Sequence, residues 1–224
     1  MKTFTPAVEI AIVVAAIVFA WALTRLFLYP ALGFPDYAPA ILRPILGFLA
    51  AWALLRRRGD GWDSLGLRRP TNWGVAIAGA VALYFVNVAL STWAVPALAQ
   101  LVHPQQQPSF MAYIKGDLGG LLLWAAIGWI VGAFIEECLF RGFLLTRIAQ
   151  LFPAPSVGLA LGVVAQAVLF GMLHLYAGSF AFLYATLFAV ANGAFYLLLK
   201  RNLWPLIVVH GVWNTMAIWT VYSS

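Results

Sequence analysis

Two adjacent carboxylates, Glu136 and Glu137, sit in the middle of an apolar run. Leu121-Leu122-Leu123-Trp124 lies upstream, and Phe140 and then Phe143-Leu144-Leu145 lie downstream. The chain has only seven acids in 224 residues, so an adjacent pair in these surroundings is unexpected. A charged side chain at mid-membrane depth costs about 2.5–3.5 kcal/mol on insertion scales, which makes such residues functional candidates by default. Glu137 and Arg141 are four residues apart, share one helix face and can pair. That suits a structural role for Glu137. It leaves Glu136 roughly 100° around the helix, away from this arginine. A carboxylate without a cationic partner in apolar surroundings can serve as a general base near neutral pH.

Three histidines are present, and two fall in apolar segments. His174 ends the run Phe170-Gly171-Met172-Leu173-His174, and His210 opens His210-Gly211-Val212-Trp213-Asn214. His210 and Asn214 are four apart and share a face. A lone membrane histidine often only bridges helices through a hydrogen bond. Two histidines, an asparagine and a glutamate pair on three otherwise apolar segments point instead to a site. His103 lies in a polar segment and carries no such implication.

The elements that must hold these residues follow from composition. The chain is 64% hydrophobic and 9% charged, against about 25% charged residues in a typical soluble domain. Its solvent must therefore be largely lipid. Seven segments reach or approach the roughly 20 apolar residues that a spanning helix needs: 7–29, 38–55, 72–95, 118–151, 156–176, 180–199 and 203–222. The expected fold is all-α, an integral membrane bundle of about seven helices with its site in an intramembrane cavity. It reads as one integrated membrane domain, with helices and a polar loop in 1–117 and a core carrying the candidate residues in 118–224. The second segment is the weakest, because Arg43 and Pro44 interrupt it. The fourth is longer than a bilayer needs, so it tilts, kinks or projects into water. The first continues past Ala20-Trp21-Ala22 to Pro30, which is long for a cleaved signal and favours a retained helix.

The net charge of +6 does not indicate a nucleic-acid partner, because the cations mark helix ends rather than forming one patch. Lys2, Arg56, Arg57, Arg58, Arg68, Arg69, Arg141, Arg147, Lys200 and Arg201 fall to one side; Arg25, Arg43 and Lys115 fall to the other. The positive-inside rule then puts the N-terminus in the cytoplasm and the C-terminus outside, at the plasma membrane in a prokaryotic source. Arg25 and Arg43 are exceptions that snorkelling near helix ends accommodates. The segment 103–117, with Gln105-Gln106-Gln107, reads as a non-cytoplasmic loop with room for a short interfacial helix. Gly128/Gly132 and Gly158/Gly162 are spacings for close helix packing. Cys138 is the single cysteine, which excludes an internal disulfide.

Depth tests the grouping. Counting 1.5 Å per residue from the cytoplasmic side, Glu136 lies about 22 Å in and His174 about 27 Å, but His210 only about 10 Å from Leu203. Tilt, or a water-filled cavity open to the cytoplasm, would reconcile the third.

Glu136-Glu137-x-x-x-Arg141, then Phe170-x-x-x-His174, then His210-x-x-x-Asn214 resemble the three motifs of the CPBP intramembrane proteases. That family groups type II CAAX prenyl endopeptidases with bacteriocin-processing and bacteriocin-immunity (Abi) proteins. Phe140-Arg141-Gly142 after the acids and Leu203-Trp204-Pro205 before the last histidine extend the resemblance, which covers roughly residues 118–216. It implies a glutamate-dependent membrane endopeptidase acting on a peptide or protein substrate, prenylated or membrane-embedded. By the resemblance, Glu136 and His174 activate the attacking water, His210 and Asn214 stabilise the oxyanion, and Glu137 and Arg141 support the site. No cofactor is required in that scheme.

Other readings keep these residues and change their use. Glu136, His174 and His210 match a two-histidine, one-glutamate zinc site with an open water position, although no His-Glu-x-x-His run is present. Buried acids and histidines also build proton relays, but transporters commonly show paired repeats, and none is visible. A non-enzymatic membrane scaffold or immunity protein is the third class.

Overall fold

The computed structural model describes residues 4–33, 35, 37–102 and 109–224. Lys2, His103 and Gln105-Gln106-Gln107 lie outside the described residues. All regular structure among the described residues is helical. Seven long helices run as α1 (Pro6–Leu32), α2 (Ala38–Arg58), α3 (Trp73–Leu101), α4 (Leu118–Ala149), α5 (Pro155–Leu173), α6 (Ser179–Leu198) and α7 (Trp204–Tyr222). The first six are long and apolar enough to span a bilayer. In α7, His210, Asn214 and three tryptophans lower the hydropathy, yet its 19 residues match α5 in length. The chain is a multi-pass helical membrane bundle. Large apolar side chains such as Phe19, Leu26, Phe85, Trp93 and Leu122 point outward, as lipid-facing positions require.

Helix α2 is continuous through Pro44, so the interruption expected there does not break it. Helix α4 is the central element. Every residue from Glu137 to Leu144 is buried, while α7 packs on its first half and α5 on its last turns. Close approach is possible because a Cβ at Gly158 or Gly162 would press into the backbone of Ala149 or Leu145. Helix α5 is tied to α6 by Gln166, whose Nε2 donates to the Ala189 carbonyl at 3.0 Å, a form of polar glue suited to a lipid-solvated bundle.

The ordinary α winding gives way in α4 to two π-wound stretches, Gly128–Ile135 and Glu137–Leu144, with Glu136 between them. Asn214 Nδ2 donates to the Gly128 carbonyl at 2.9 Å. A side chain inserted into the helical ladder is a recognised cause of such local unwinding, and π segments occur often at functional positions.

The two ends of the bundle differ. At one end buried Glu9 of α1 pairs with Arg58 of α2 and with Arg147 of α4, at 2.7 Å for the latter. Arg57 covers the Phe4 ring, and Arg68 donates to the Lys200 carbonyl. At the opposite end Gly116 N–H donates to the Tyr222 carbonyl, and Ser109–Tyr113 forms a short 3₁₀ turn.

Candidate active site

Glu137 lies fully buried and is the hub of the site. Its Oε1 stands 3.0 Å from Arg141 Nη1 and accepts a hydrogen bond from His210 Nδ1 at 2.8 Å. The i,i+4 spacing accounts for the first contact; the second joins α4 to α7. The arginine contact has the distance of an ion pair without the alignment of a hydrogen bond, and the guanidinium instead lies over the Phe170 ring, 4.6 Å from its centre. Such a cation–π contact gains strength where water is excluded.

Phe170 gathers the remaining groups. Its ring centre is 4.8 Å from that of His174 and 6.2 Å from that of His210. His174 caps α5, and its Nδ1 lies 3.0 Å from the Phe170 carbonyl, which accepts the proton of that nitrogen. Both histidines therefore use Nδ1 as donor and leave Nε2 for the site. A neutral ring held this way offers a lone pair at Nε2; a doubly protonated ring offers an N–H.

The depth discrepancy of His210 has a structural cause. The turn Trp62–Leu65 between α2 and α3 tucks into the bundle, and Leu203 N–H donates to the Gly66 carbonyl at 3.0 Å. Gly66 holds φ +87°, and any Cβ there would overlap the Arg201 carbonyl oxygen. A Cβ at Gly142 would meet Leu65 at 3.1 Å and Leu203 at 3.4 Å. Helix α7 thus begins level with Gly142, not with Leu151. Seven residues along α7 from Leu203 and five back along α4 from Gly142 bring His210 to Glu137. Gly211 keeps this crossing close, because the Trp129 indole occupies the space of its missing side chain while Trp129 Nε1 donates to Thr215 Oγ1.

Glu136 faces a different way. It lines a cavity of about 200 Å³ together with Asn214, Tyr176, Gly128 and Gly132. Met111, Ile114, Ile218 and Val221 line the same cavity, so it extends from Glu136 toward the end of the bundle opposite the basic loops and does not open toward those loops, on the side expected to be cytoplasmic. Glu136 makes no hydrogen bond or salt bridge among the described residues, although Arg141 and Arg43 act on it electrostatically. No direct bond joins Glu136 to His174 or His210. Among the described residues no group of three His, Cys, Asp or Glu side chains stands close enough to hold a metal ion.

One participant escaped the sequence reading. Arg43 does not snorkel toward water: it is 7% exposed and points inward. Its Nε donates to the Pro39 carbonyl and its Nη2 to the Leu173 carbonyl at 2.7 Å, immediately before His174. The available signal was a lone cation inside an apolar segment, which calls for a named partner.

Residues 118–216 match the model of the family described as Type II CAAX prenyl endopeptidase Rce1-like. No curated protein and no solved structure matches the chain.

Proposed function

We propose that the chain, whose residues 118–216 match the type II CAAX prenyl endopeptidase Rce1-like family, is an intramembrane endopeptidase in which Glu136 is the general base. The observation that carries this is the position of Glu136. It is a carboxylate with no bonded partner among the described residues, on a membrane helix, at the wall of a cavity that the Asn214 carboxamide shares.

In the proposed reaction a water in the cavity attacks the scissile carbonyl carbon, and its proton passes to the Glu136 carboxylate. His174, with Nδ1–H given to Phe170, presents the Nε2 lone pair that orients this water. The carbonyl oxygen becomes an oxyanion facing Asn214 and His210. Donors preorganised at such an oxygen are worth about 2.7–4 kcal/mol each where tested in other enzymes. Donation from His210 Nε2 requires the doubly protonated ring, whose charge the Glu137 carboxylate faces. The proton on Glu136 then passes to the leaving nitrogen as the C–N bond breaks, giving a free amine and a carboxylate. Glu137 and Arg141 act through His210 and Phe170 as positioning residues. No step is assigned to a metal.

The substrate is a peptide or protein segment, prenylated or membrane-embedded. With the basic end in the cytoplasm, the cavity at Glu136 extends to the non-cytoplasmic face. The deciding experiment is cleavage of a panel of prenylated and unmodified peptides by wild type and Glu136→Gln, with and without chelator. Cleavage by wild type alone, insensitive to chelator, is expected. Activity that vanishes with chelator and returns with zinc overturns the metal-free scheme.

A further inference from the structure

Away from the active site, two cavities adjoin at the basic end of α3 and α7. The first, about 230 Å³, is lined by Arg68, Arg69, Lys200, Thr71, Asn72 and Asn202 among others, and by no carboxylate among the described residues. The second, about 370 Å³, is lined, among the described residues, by apolar residues of α3 and α7 and the turn before α3, including Trp73, Ile77, Val81, Trp204 and Val208. Pro70, Ala76 and Pro205 belong to both. A cationic chamber therefore opens directly onto an apolar groove.

The placement suits a membrane boundary. Trp73 and Trp204 are the first residues of α3 and α7, and tryptophan favours the level of the lipid head groups. From Trp73 to Val81 the groove follows α3 for about 12 Å into the apolar zone. The cationic chamber is held in shape by a set of bonds: Arg68 to the Lys200 carbonyl at 3.1 Å, Asn202 Nδ2 to the Arg68 carbonyl at 2.9 Å, and Trp204 N–H to Asn202 Oδ1. Lys200 and Arg201 hold φ values of 55° and 59°, a backbone region that residues with side chains rarely adopt. The bonds of Arg68 and Asn202 flank that turn.

We infer that these two cavities form one site for an anionic phospholipid, with its phosphate among Arg68, Arg69 and Lys200 and an acyl chain in the groove between α3 and α7. Charge complementarity selects the head group, since guanidinium groups bind phosphate oxygens in pairs and basic pockets between membrane helices take anionic lipids. The continuous apolar groove selects a chain-bearing phosphate over a free one. Val208 lines the groove two residues before His210, so an occupied site also braces the helix that carries the histidine.

The test uses full-length purified protein in phosphatidylcholine. The probes are long-chain phosphatidylglycerol, its short-chain analogue and inorganic phosphate, read by native mass spectrometry and by thermal unfolding. Long-chain phosphatidylglycerol is expected to bind and stabilise most, the short-chain form less, and phosphate least. Arg69→Gln combined with Lys200→Gln is expected to weaken long-chain binding roughly thirty-fold, from the typical worth of one membrane-surface cation taken twice. The matched control, Arg56→Gln with Arg57→Gln, removes equal charge from the same end and is expected to leave binding near wild type. Val81→Trp, which fills the groove from its lipid side, is expected to abolish the advantage of the long chain and keeps the proposal testable if the charge variant unfolds. Equal weakening in the control, equal stabilisation by inorganic phosphate, or an unchanged chain-length preference in Val81→Trp overturns the site.

Discussion

Arg43 of α2 donates from Nη2 to the carbonyl of Leu173 at 2.7 Å, the last residue of α5 before His174. The end of a helix leaves carbonyls without internal partners and carries partial negative charge. A buried cation supplies both the donor and the countercharge, and a second bond to the Pro39 carbonyl fixes its reach. The first half of the chain thereby sets where His174 sits. Arg43→Ala is expected to lower kcat about 10- to 100-fold through loss of alignment, with a smaller change in KM. Arg43→Lys should recover part of kcat. Steady-state kinetics on both variants check this; equal losses in alanine and lysine variants, or an effect confined to KM, would count against positioning.

Glu136→Gln keeps the shape of the side chain and removes its basicity. His174→Ala removes the Nε2 proposed to orient the attacking water. Each is expected to reduce peptide cleavage by about 10²–10⁴-fold, the usual worth of a positioned acid–base group, while purified protein retains its helical content and elution volume. Near-normal cleavage by either folded variant would falsify the assigned roles.

Much of this arrangement was legible from residue types and spacing. The seven apolar segments correspond to the seven long helices among the described residues, and the i,i+4 spacing of Glu137 and Arg141 forecast their contact. The bond from His210 to Glu137 was not legible, because depth counted along each helix assumes that neighbouring helices start level. The inward tuck of Leu65 and Gly66 starts α7 opposite Gly142 instead, and that is a tertiary fact spread over three separate stretches of chain. The π winding around Glu136 was hidden as well, and the bond from Asn214 to the Gly128 carbonyl at its start comes from another helix. Arg43 was visible as an intramembrane cation, but charge alone does not reveal whether such a side chain turns toward water or toward a carbonyl.

Glu137 and Glu136 should separate in stability as well as in activity. Removing Glu137 leaves the fully buried Arg141 without its counter-ion and frees Nδ1 of His210. Breaking one side of a buried pair typically costs about 3–5 kcal/mol. Glu137→Ala is therefore expected to lower the unfolding temperature or the yield of folded protein far more than Glu136→Gln, which breaks no bond seen among the described residues. Thermal unfolding in one detergent compares them directly, and equal midpoints would remove the supporting role given to Glu137. A double change, Glu137→Ala with Arg141→Met, should regain part of the loss, because it removes the stranded charge as well.

The cavity at Glu136 and the basic loops lie at opposite ends of the bundle. Positive-inside sorting then gives each end an address. Exposed Ser223 follows α7 at the cavity end, and exposed Asp63 lies in the turn at the basic end. The single native thiol, Cys138, is buried and should stay silent to a polar reagent. In intact cells a membrane-impermeant maleimide is expected to label Ser223→Cys at once, and to label Asp63→Cys only after the membrane is opened. The reverse pattern would turn the protein over and put the cavity in the cytoplasm. The same orientation has a functional consequence: right-side-out vesicles should cleave a peptide supplied from outside, and Glu136→Gln vesicles should not. Cleavage restricted to peptide enclosed within the vesicles would contradict the approach that the walls of the cavity, Ile114 and Val221, imply.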